Sequence, residues 1–242
     1  MWIVFLTGAG MSAESGVPTF RDALTGLWQR FDAEALATEA AYRRDPGLCW
    51  GWYRWRAKRV QDATPNAGHL GIAALAASHD VTVITQNVDD LHERAGSHAP
   101  VHLHGSLFAS RCLDCGAPAD GEDPILRDVD RIPDAGGHEP PPRCVHCGGP
   151  LRPGVVWFGE SLPEDAWESA SHAVCHCDLL VVIGTSGLVH PAAGLPERAH
   201  RAGVRIIEIN PQRSGITACA DEHWPVGAGE GLARLRQVLA TD

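Results

Sequence analysis

Four short apolar runs rich in Val and Ile frame this chain: Ile3 to Leu6, Val81 to Ile84, Leu179 to Ile183 and Val204 to Ile209. Runs so uniformly apolar suit strands covered on both faces, as in a parallel sheet. Helical stretches precede the last three, at Ala67 to Ser78, Glu164 to Val174 and Ala192 to Ala202. Strands alternating with helices imply right-handed βαβ units, so the expected fold class is α/β on a parallel sheet. Each run ends in small or polar residues: Thr7-Gly8, Thr85-Gln86-Asn87, Gly184-Thr185-Ser186 and Asn210-Pro211. Ligands of such sheets bind beyond the carboxyl ends of the strands. The four clusters are therefore expected to line one site.

Between Leu107 and Arg152 this character is lost. Pro and Gly crowd the stretch, as in Asp134-Ala-Gly-Gly-His-Glu-Pro-Pro-Pro142, and such a segment buries too little apolar surface to order itself. Two C-x-x-C pairs bracket it, Cys112-Leu-Asp-Cys115 and Cys144-Val-His-Cys147. Two residues between cysteines let two thiolates of one turn meet one ion, and a second turn completes a tetrahedron. A redox pair is the rival reading. Doubling of the pair, each followed by Gly (Gly116, Gly148), favours one structural Zn2+. Four protein ligands leave no open position, so this metal is expected to do no catalysis. His138 and His146 are competing ligands. Cys177 opens an apolar strand and reads as core, and Cys175-His176-Cys177 lacks a partner pair for a second metal. The expected organisation is a sheet domain over 1–106 and 153–242, with a helical insertion at about 22–65, and a zinc-binding module over 107–152.

The formal net charge of −10 argues against non-specific binding to DNA or to anionic membranes. It is compatible with basic protein substrates, but plain solubility is the reading it favours. No apolar run approaches the roughly 20 residues of a membrane helix. Met1-Trp-Ile-Val-Phe-Leu-Thr-Gly8 is short and has no basic region before it, so it reads as a buried strand rather than a targeting segment. The expected location is the cytoplasm, with neither nucleic acid nor membrane as partner.

Gly8-Ala-Gly10-Met-Ser12-Ala-Glu-Ser15-Gly16 follows the first strand. Glycines there let backbone approach a phosphate, and a helix start offers free N–H groups. The spacing is not that of the common dinucleotide fingerprint, and a tight strand-to-helix turn explains it equally. Thr85-Gln-Asn-Val-Asp-Asp-Leu-His92 could read a ribose or a carboxamide through its amides and carboxylate, or form an Asx-turn capping the next helix. His102-Leu-His104-Gly105 brings an imidazole, which exchanges a proton near neutrality, to a strand end.

Together these segments resemble the sirtuins, the NAD-dependent protein deacylases. The matching pieces are Gly8 through Arg21, Thr85 through His92, Leu103-His-Gly-Ser106, the two cysteine pairs, Arg152-Pro-Gly-Val-Val-Trp-Phe-Gly-Glu160, Gly184-Thr-Ser-Gly-Leu-Val-His-Pro191 and Glu208-Ile-Asn-Pro211, in family order. The resemblance implies a Rossmann-like domain with a small zinc module, NAD and an acyl-lysine peptide meeting in the cleft between them. It implies His104 as general base on a ribose hydroxyl, with Asn87 and Asp89 ordering ribose, water and carboxamide. Gly8, Ala9, Ser12, Phe20, Arg21, Gln86, Gly184, Ser186 and Asn210 are implied to hold NAD, with Ala228 as a late adenine contact. Val156 to Glu160, including Gly159, and Gly187 to Val189 are implied to sandwich the substrate as an added strand. The products implied are nicotinamide, free lysine and O-acyl-ADP-ribose.

Tyr53 and Arg56 stand three apart on one helix face in Trp52-Tyr-Arg-Trp-Arg56. The resemblance extends to the sirtuin branch that removes succinyl, malonyl and glutaryl groups, whose Tyr-x-x-Arg pair binds the distal carboxylate. Ala37 matches the small residue that widens that pocket. The alternative is an ordinary basic helix face formed by Arg54, Arg56, Lys58 and Arg59. Three departures stand out. Thr38-Glu39 replaces the branch's Thr-Pro, His190 replaces an aromatic, and His102 replaces an acidic residue before Leu-His-Gly. An ADP-ribosyltransferase or NAD hydrolase on the same scaffold is the competing enzyme reading, and a non-catalytic NAD-binding module the third.

Overall fold

The structure, a computed structural model, describes residues 1–17, 36–132 and 137–240. Along the chain run β1 (Trp2–Thr7), α1 (Ala9–Ala13), α2 (Glu39–Arg44), α3 (Pro46–Asp62), α4 (Ala67–Leu75), β2 (Asp80–Thr85), α5 (Leu91–Arg94) and β3 (Val101–His102). They are followed by β4 (Gly105–Cys112), β5 (Leu151–Val155), α6 (Glu164–His176), β6 (Leu179–Ile183), α7 (Leu195–Arg201), β7 (Arg205–Ile209), β8 (Glu222–Trp224) and α8 (Ala228–Leu239). The chain divides into two compact units: Met1–Thr19 with Thr64–Leu103 and Leu162–Asp242, and Phe20–Ala63 with His104–Ser161.

The first unit is a six-stranded sheet in the order β3-β2-β1-β6-β7-β8, parallel at every pairing. The expected α/β class on a parallel sheet is what forms. Its four inner strands coincide with the four apolar runs to within two residues. Successive side chains point to opposite faces. Val4 and Leu6 of β1 join a core with Leu180, Val182, Leu195 and Ile206, and Ile3 and Phe5 join another with Ile72, Val181, Ile207 and Leu232. Coverage on both faces is why these strands carry no polar alternation. Asn66 starts α4 by accepting the backbone N–H groups of Gly68 (2.9 Å) and His69 (3.3 Å), while His69 Nδ1 accepts the N–H of Asn66 at 3.3 Å, a reciprocal cap. β3, β8 and α8 carry no sequence expectation. Two of them are only two and three residues long, too short for a period to register.

The second unit pairs β4 with β5 antiparallel, with a register shift between Ser106 and Arg111. Thr38 caps α2 by accepting the Ala41 N–H at 3.2 Å. Asp45 caps α3 in the same way from Leu48, at 3.0 Å, ahead of Pro46 at the first helical position. α3 buries Trp50, Trp52, Tyr53, Arg54 and Trp55 alike. The basic-face alternative therefore fails for Arg54, which lies buried, paired to Glu139 at 2.7 Å. Among the described residues no helix is long and apolar enough to cross a membrane.

Candidate functional site

Strand order reverses at β1, which has β2 on one side and β6 on the other. A crevice at such a switch point is where open α/β sheets bind ligands. The loops leaving β1 and β6 are pressed together there. Gly10 N–H donates to the Gly184 carbonyl at 2.8 Å, and a Cβ on Gly10 would lie 2.7 Å from Gly184 Cα. Gly184 itself has a φ of +62° and would clash with Gly10 if it bore a side chain. The tight-turn explanation of these glycines thus holds alongside any role toward phosphate.

A chain of hydrogen bonds fixes the polar groups of this rim. Asn87 Nδ2 donates to the Gly8 carbonyl (3.1 Å) and to Ser12 Oγ (3.0 Å). Ser12 Oγ donates to Asp89 Oδ2 at 2.9 Å, and Asp89 Oδ1 accepts the Leu91 N–H at 3.2 Å, an Asx-turn leading into α5. Burial raises the Asp89 carboxyl above its ordinary value against the opposing bonds from Leu91 and Ser12. Thr185 joins three strand ends. Its Oγ1 accepts Gln86 Nε2 at 3.1 Å, and its carbonyl accepts Asn210 Nδ2 at 2.9 Å. Ala9 opens α1, Ser186 follows Thr185, and Ala228 is buried in the core at the start of α8. Gly187 and the exposed Val189 lie in the loop after β6. Phe20 and Arg21 lie outside the described residues.

Beneath the rim, Thr7 Oγ1 contacts Thr85 Oγ1 (2.9 Å) and His92 Nε2 (3.0 Å), and the His92 ring stands 4.8 Å from that of His69. Both imidazoles are fully buried. Burial pushes His69 down to about 4. His92 falls to about 3, through burial and then the neighbouring His69 and His102. His102 differs. Burial opposes its charge, but Glu93 at 2.7 Å, the Asn87 carbonyl at 3.1 Å and Asp89 outweigh it and hold the imidazole above its ordinary value.

In the second unit the four cysteine sulfurs lie within 4.8 Å of one another. Two equivalent turns present them. Cys112 N–H bonds the Ala117 carbonyl at 2.7 Å and Cys144 N–H bonds that of Gly149 at 2.8 Å; Gly116 and Gly148 close the turns onto Cys112 and Cys144. Backbone N–H groups of Asp114 and His146 point at the sulfurs of Cys112 and Cys144, each at 3.4 Å, as suits thiolates. Despite an N–H from Gly149, the neighbouring Cys112 and Cys115 push Cys147 up to about 12. Thiols this crowded do not ionise together without a cation between them. The donor set fits one tetrahedral Zn2+ with no open position. His138 contacts Asp45 instead, at 2.8 Å, and among the described residues the cysteines form the one group of three or more candidate ligands.

The same unit holds the half-buried His104, whose carbonyl accepts the Val156 N–H at 2.8 Å. Ala37, 3% exposed, accepts the Phe158 N–H at 3.0 Å. Glu160 takes the Trp157 N–H at 2.8 Å and both terminal nitrogens of Arg152. Gly159, in a left-handed turn at φ +90°, links the two. Tyr53 and Arg56 share α3. Tyr53 is buried, and Arg56 lies over the Trp52 ring, 5.2 Å from its centroid.

A model of the Sir2 family matches residues 8–191. The chain belongs to the Sir2 family. Among Sir2-family relatives, the NAD-dependent protein deacylase of Methylococcus capsulatus is 50% identical over 238 residues, covering 98% of this chain and 92% of its own. NAD-dependent protein deacylase 1 of Pseudomonas aeruginosa is 53% identical over 235 residues, covering 96% and 92%. A solved Sir2 homolog–NAD complex matches with a TM-score of 0.87 at 44% identity, covering 99% of this chain and 90% of that one. Sir2Tm bound to a propionylated peptide matches at 0.82 and 27% identity, covering 100% and 94%. The expected Sir2 fold with a four-cysteine metal set is therefore what this chain has. Sequence reasoning placed Thr185 in a strand-end cluster without assigning it a part, and did not single out the His69–His92 pair or the indole of Trp157. Their parts depend on partners far along the chain, which spacing does not reveal.

Proposed function

We propose that this chain is an NAD-dependent protein-lysine deacylase that removes acetyl groups and also succinyl or malonyl groups from lysines presented in extended peptides. The observation that carries the reading is the Asn87–Ser12–Asp89 hydrogen-bond chain at the switch point of the sheet, a preorganised polar rim of the kind that receives a dinucleotide. The relatives named above as deacylases, with near-complete coverage, support the same activity.

Bound NAD would supply a nicotinamide leaving group and an electrophilic ribose carbon. The backbone around Gly8, Ala9, Gly184 and Ser186, with the amides of Gln86 and Asn210, would hold the dinucleotide, and Ala228 would border the adenine. Asn87 and Asp89 would order the ribose hydroxyls and a water. His104 would accept the proton of a ribose hydroxyl once the acyl oxygen has displaced nicotinamide, and water would then release free lysine and O-acyl-ADP-ribose. Val156, Gly159 and Glu160, with Gly187 and Val189, would pair with the peptide backbone, a mode that reads little side-chain sequence. Tyr53 and Arg56 would bind the distal carboxylate of an acidic acyl chain, with Ala37 leaving it room. Residues 107–152 would be the zinc-binding module, and 1–106 with 153–242 the NAD-binding domain.

The test is NAD-dependent release of free lysine from matched acetyl- and succinyl-lysine peptides, followed by mass spectrometry. Lysine and O-acyl-ADP-ribose should appear in equal amounts. Nicotinamide release that proceeds undiminished without any acyl peptide would replace this reading with an NAD hydrolase or ADP-ribosyltransferase.

A further inference from the structure

Tyr53 is 1% exposed and its hydroxyl has one hydrogen-bond partner among the described residues. Trp157 Nε1 donates to it at 2.9 Å. A phenol oxygen that accepts an N–H keeps its own hydrogen to give elsewhere. Among the described residues no hydrogen bond takes that hydrogen, and a buried donor left unmatched is unfavourable. The arrangement makes sense when an acceptor arrives with a ligand. Burial pushes the Tyr53 phenol up and keeps it protonated, with Arg56, three residues on, opposing that shift electrostatically.

Trp157 is itself clamped from every side. Its ring, 1% exposed, has the Arg152 guanidinium 3.3 Å from its centroid and the Tyr42 ring at 5.0 Å. Its own N–H goes to Glu160 Oε2 at 2.8 Å, and the next N–H, of Phe158, goes to the Ala37 carbonyl at 3.0 Å. Two consecutive residues of the proposed peptide strand thus reach Tyr53 and Ala37, two of the three residues proposed to shape the acyl pocket.

We propose that Trp157 is a specificity-determining residue: its indole N–H occupies the Tyr53 oxygen, so that the Tyr53 hydrogen is presented to the carboxylate of an acidic acyl chain. The inference rests on the acidic-acyl reading of Tyr53 and Arg56. Trp157 does not touch the reacting atoms. It sets the direction of the hydroxyl and ties acyl selection to the strand that grips the peptide.

The experiment compares kcat and KM on succinyl- and acetyl-lysine peptides of one sequence for wild type, Trp157→Phe, Tyr53→Phe and the double variant. Trp157→Phe keeps an aromatic ring but lacks the N–H. We expect its KM for the succinyl peptide to rise about tenfold with a much smaller change in kcat. The acetyl peptide should be affected several-fold less. The double variant should be no worse on succinyl peptide than Tyr53→Phe alone, because both changes break one unit. Equal loss on both peptides, or independent effects that multiply in the double variant, would overturn the proposal and leave Trp157 as packing. Should Trp157→Phe misfold, Tyr53→Phe decides alone: an unchanged succinyl-to-acetyl preference overturns it. A wild type inactive on succinyl peptide instead defeats the acidic-acyl reading, before any variant is compared.

Discussion

Arg56→Met should separate two activities of one enzyme. A charge-assisted bond to a carboxylate is worth about 1.5–3 kcal/mol, so desuccinylation should fall about ten- to a hundredfold while deacetylation changes far less, as read by kcat/KM on matched peptides. Equal loss of both would remove Arg56 from acyl recognition. Thr185→Val tests the junction of strand ends. It deletes the acceptor of Gln86 while keeping the volume, and should raise KM for NAD several-fold with kcat nearly kept. An unchanged KM would make the Gln86–Thr185 bond incidental. At this scale the sequence was legible where residues are adjacent, as in the cysteine pairs and Leu103-His-Gly. It was mute where a role is made by partners 99 or 104 positions away, as for Gln86 with Thr185 and Tyr53 with Trp157.

The departure at Thr38-Glu39 has a local explanation at the level of the element. Thr38 caps α2, and Glu39 places a carboxylate in its first turn and pairs with Arg43 at 2.7 Å, favourable to the helix dipole. The β4–β5 hairpin was invisible in the sequence for two reasons. Its strands are separated by the whole cysteine segment, and the register shift after Ser106 breaks the alternation. Few apolar residues, Leu151 among them, are buried with the cysteines, so a zinc ion held by the four sulfurs would be what keeps these turns together. Cys144→Ser should therefore abolish stoichiometric zinc, measured by elemental analysis, and lower the melting temperature by many degrees. Full zinc content in that variant would place the metal elsewhere.

Across the whole molecule, acid should loosen the fold through its buried imidazoles. His69 and His92 are held near 4 and 3, against about 6.5 when unfolded. Between those limits the unfolded chain binds more protons, so stability rises with pH through the window and is lost as pH falls below about 6.5. At pH 5 each neutral imidazole forgoes about 2 kcal/mol. The melting temperature of wild type should fall from pH 7 to pH 5 more steeply than that of His92→Gln, by calorimetry; parallel slopes would refute the assignment. The sheet was readable because its inner strands are apolar on both faces, whereas α8 packs from the far end of the chain and shares no motif with the rest.

That sheet also dictates an order of events during synthesis. The opening strand lies between two neighbours, and one of them is supplied only by the last third of the chain: Trp2 N–H reaches the Asp178 carboxylate across 176 residues, at 2.7 Å. At about 5–20 residues per second, a ribosome needs roughly ten to thirty seconds to deliver β6 after β1 has been made. For that interval a ribbon of Trp, Ile, Val, Phe and Leu has one side unclaimed, open to any other nascent strand. Slowing initiation or lowering the growth temperature during overproduction should raise the soluble yield of this protein more than it would for a fold whose first strand pairs at once.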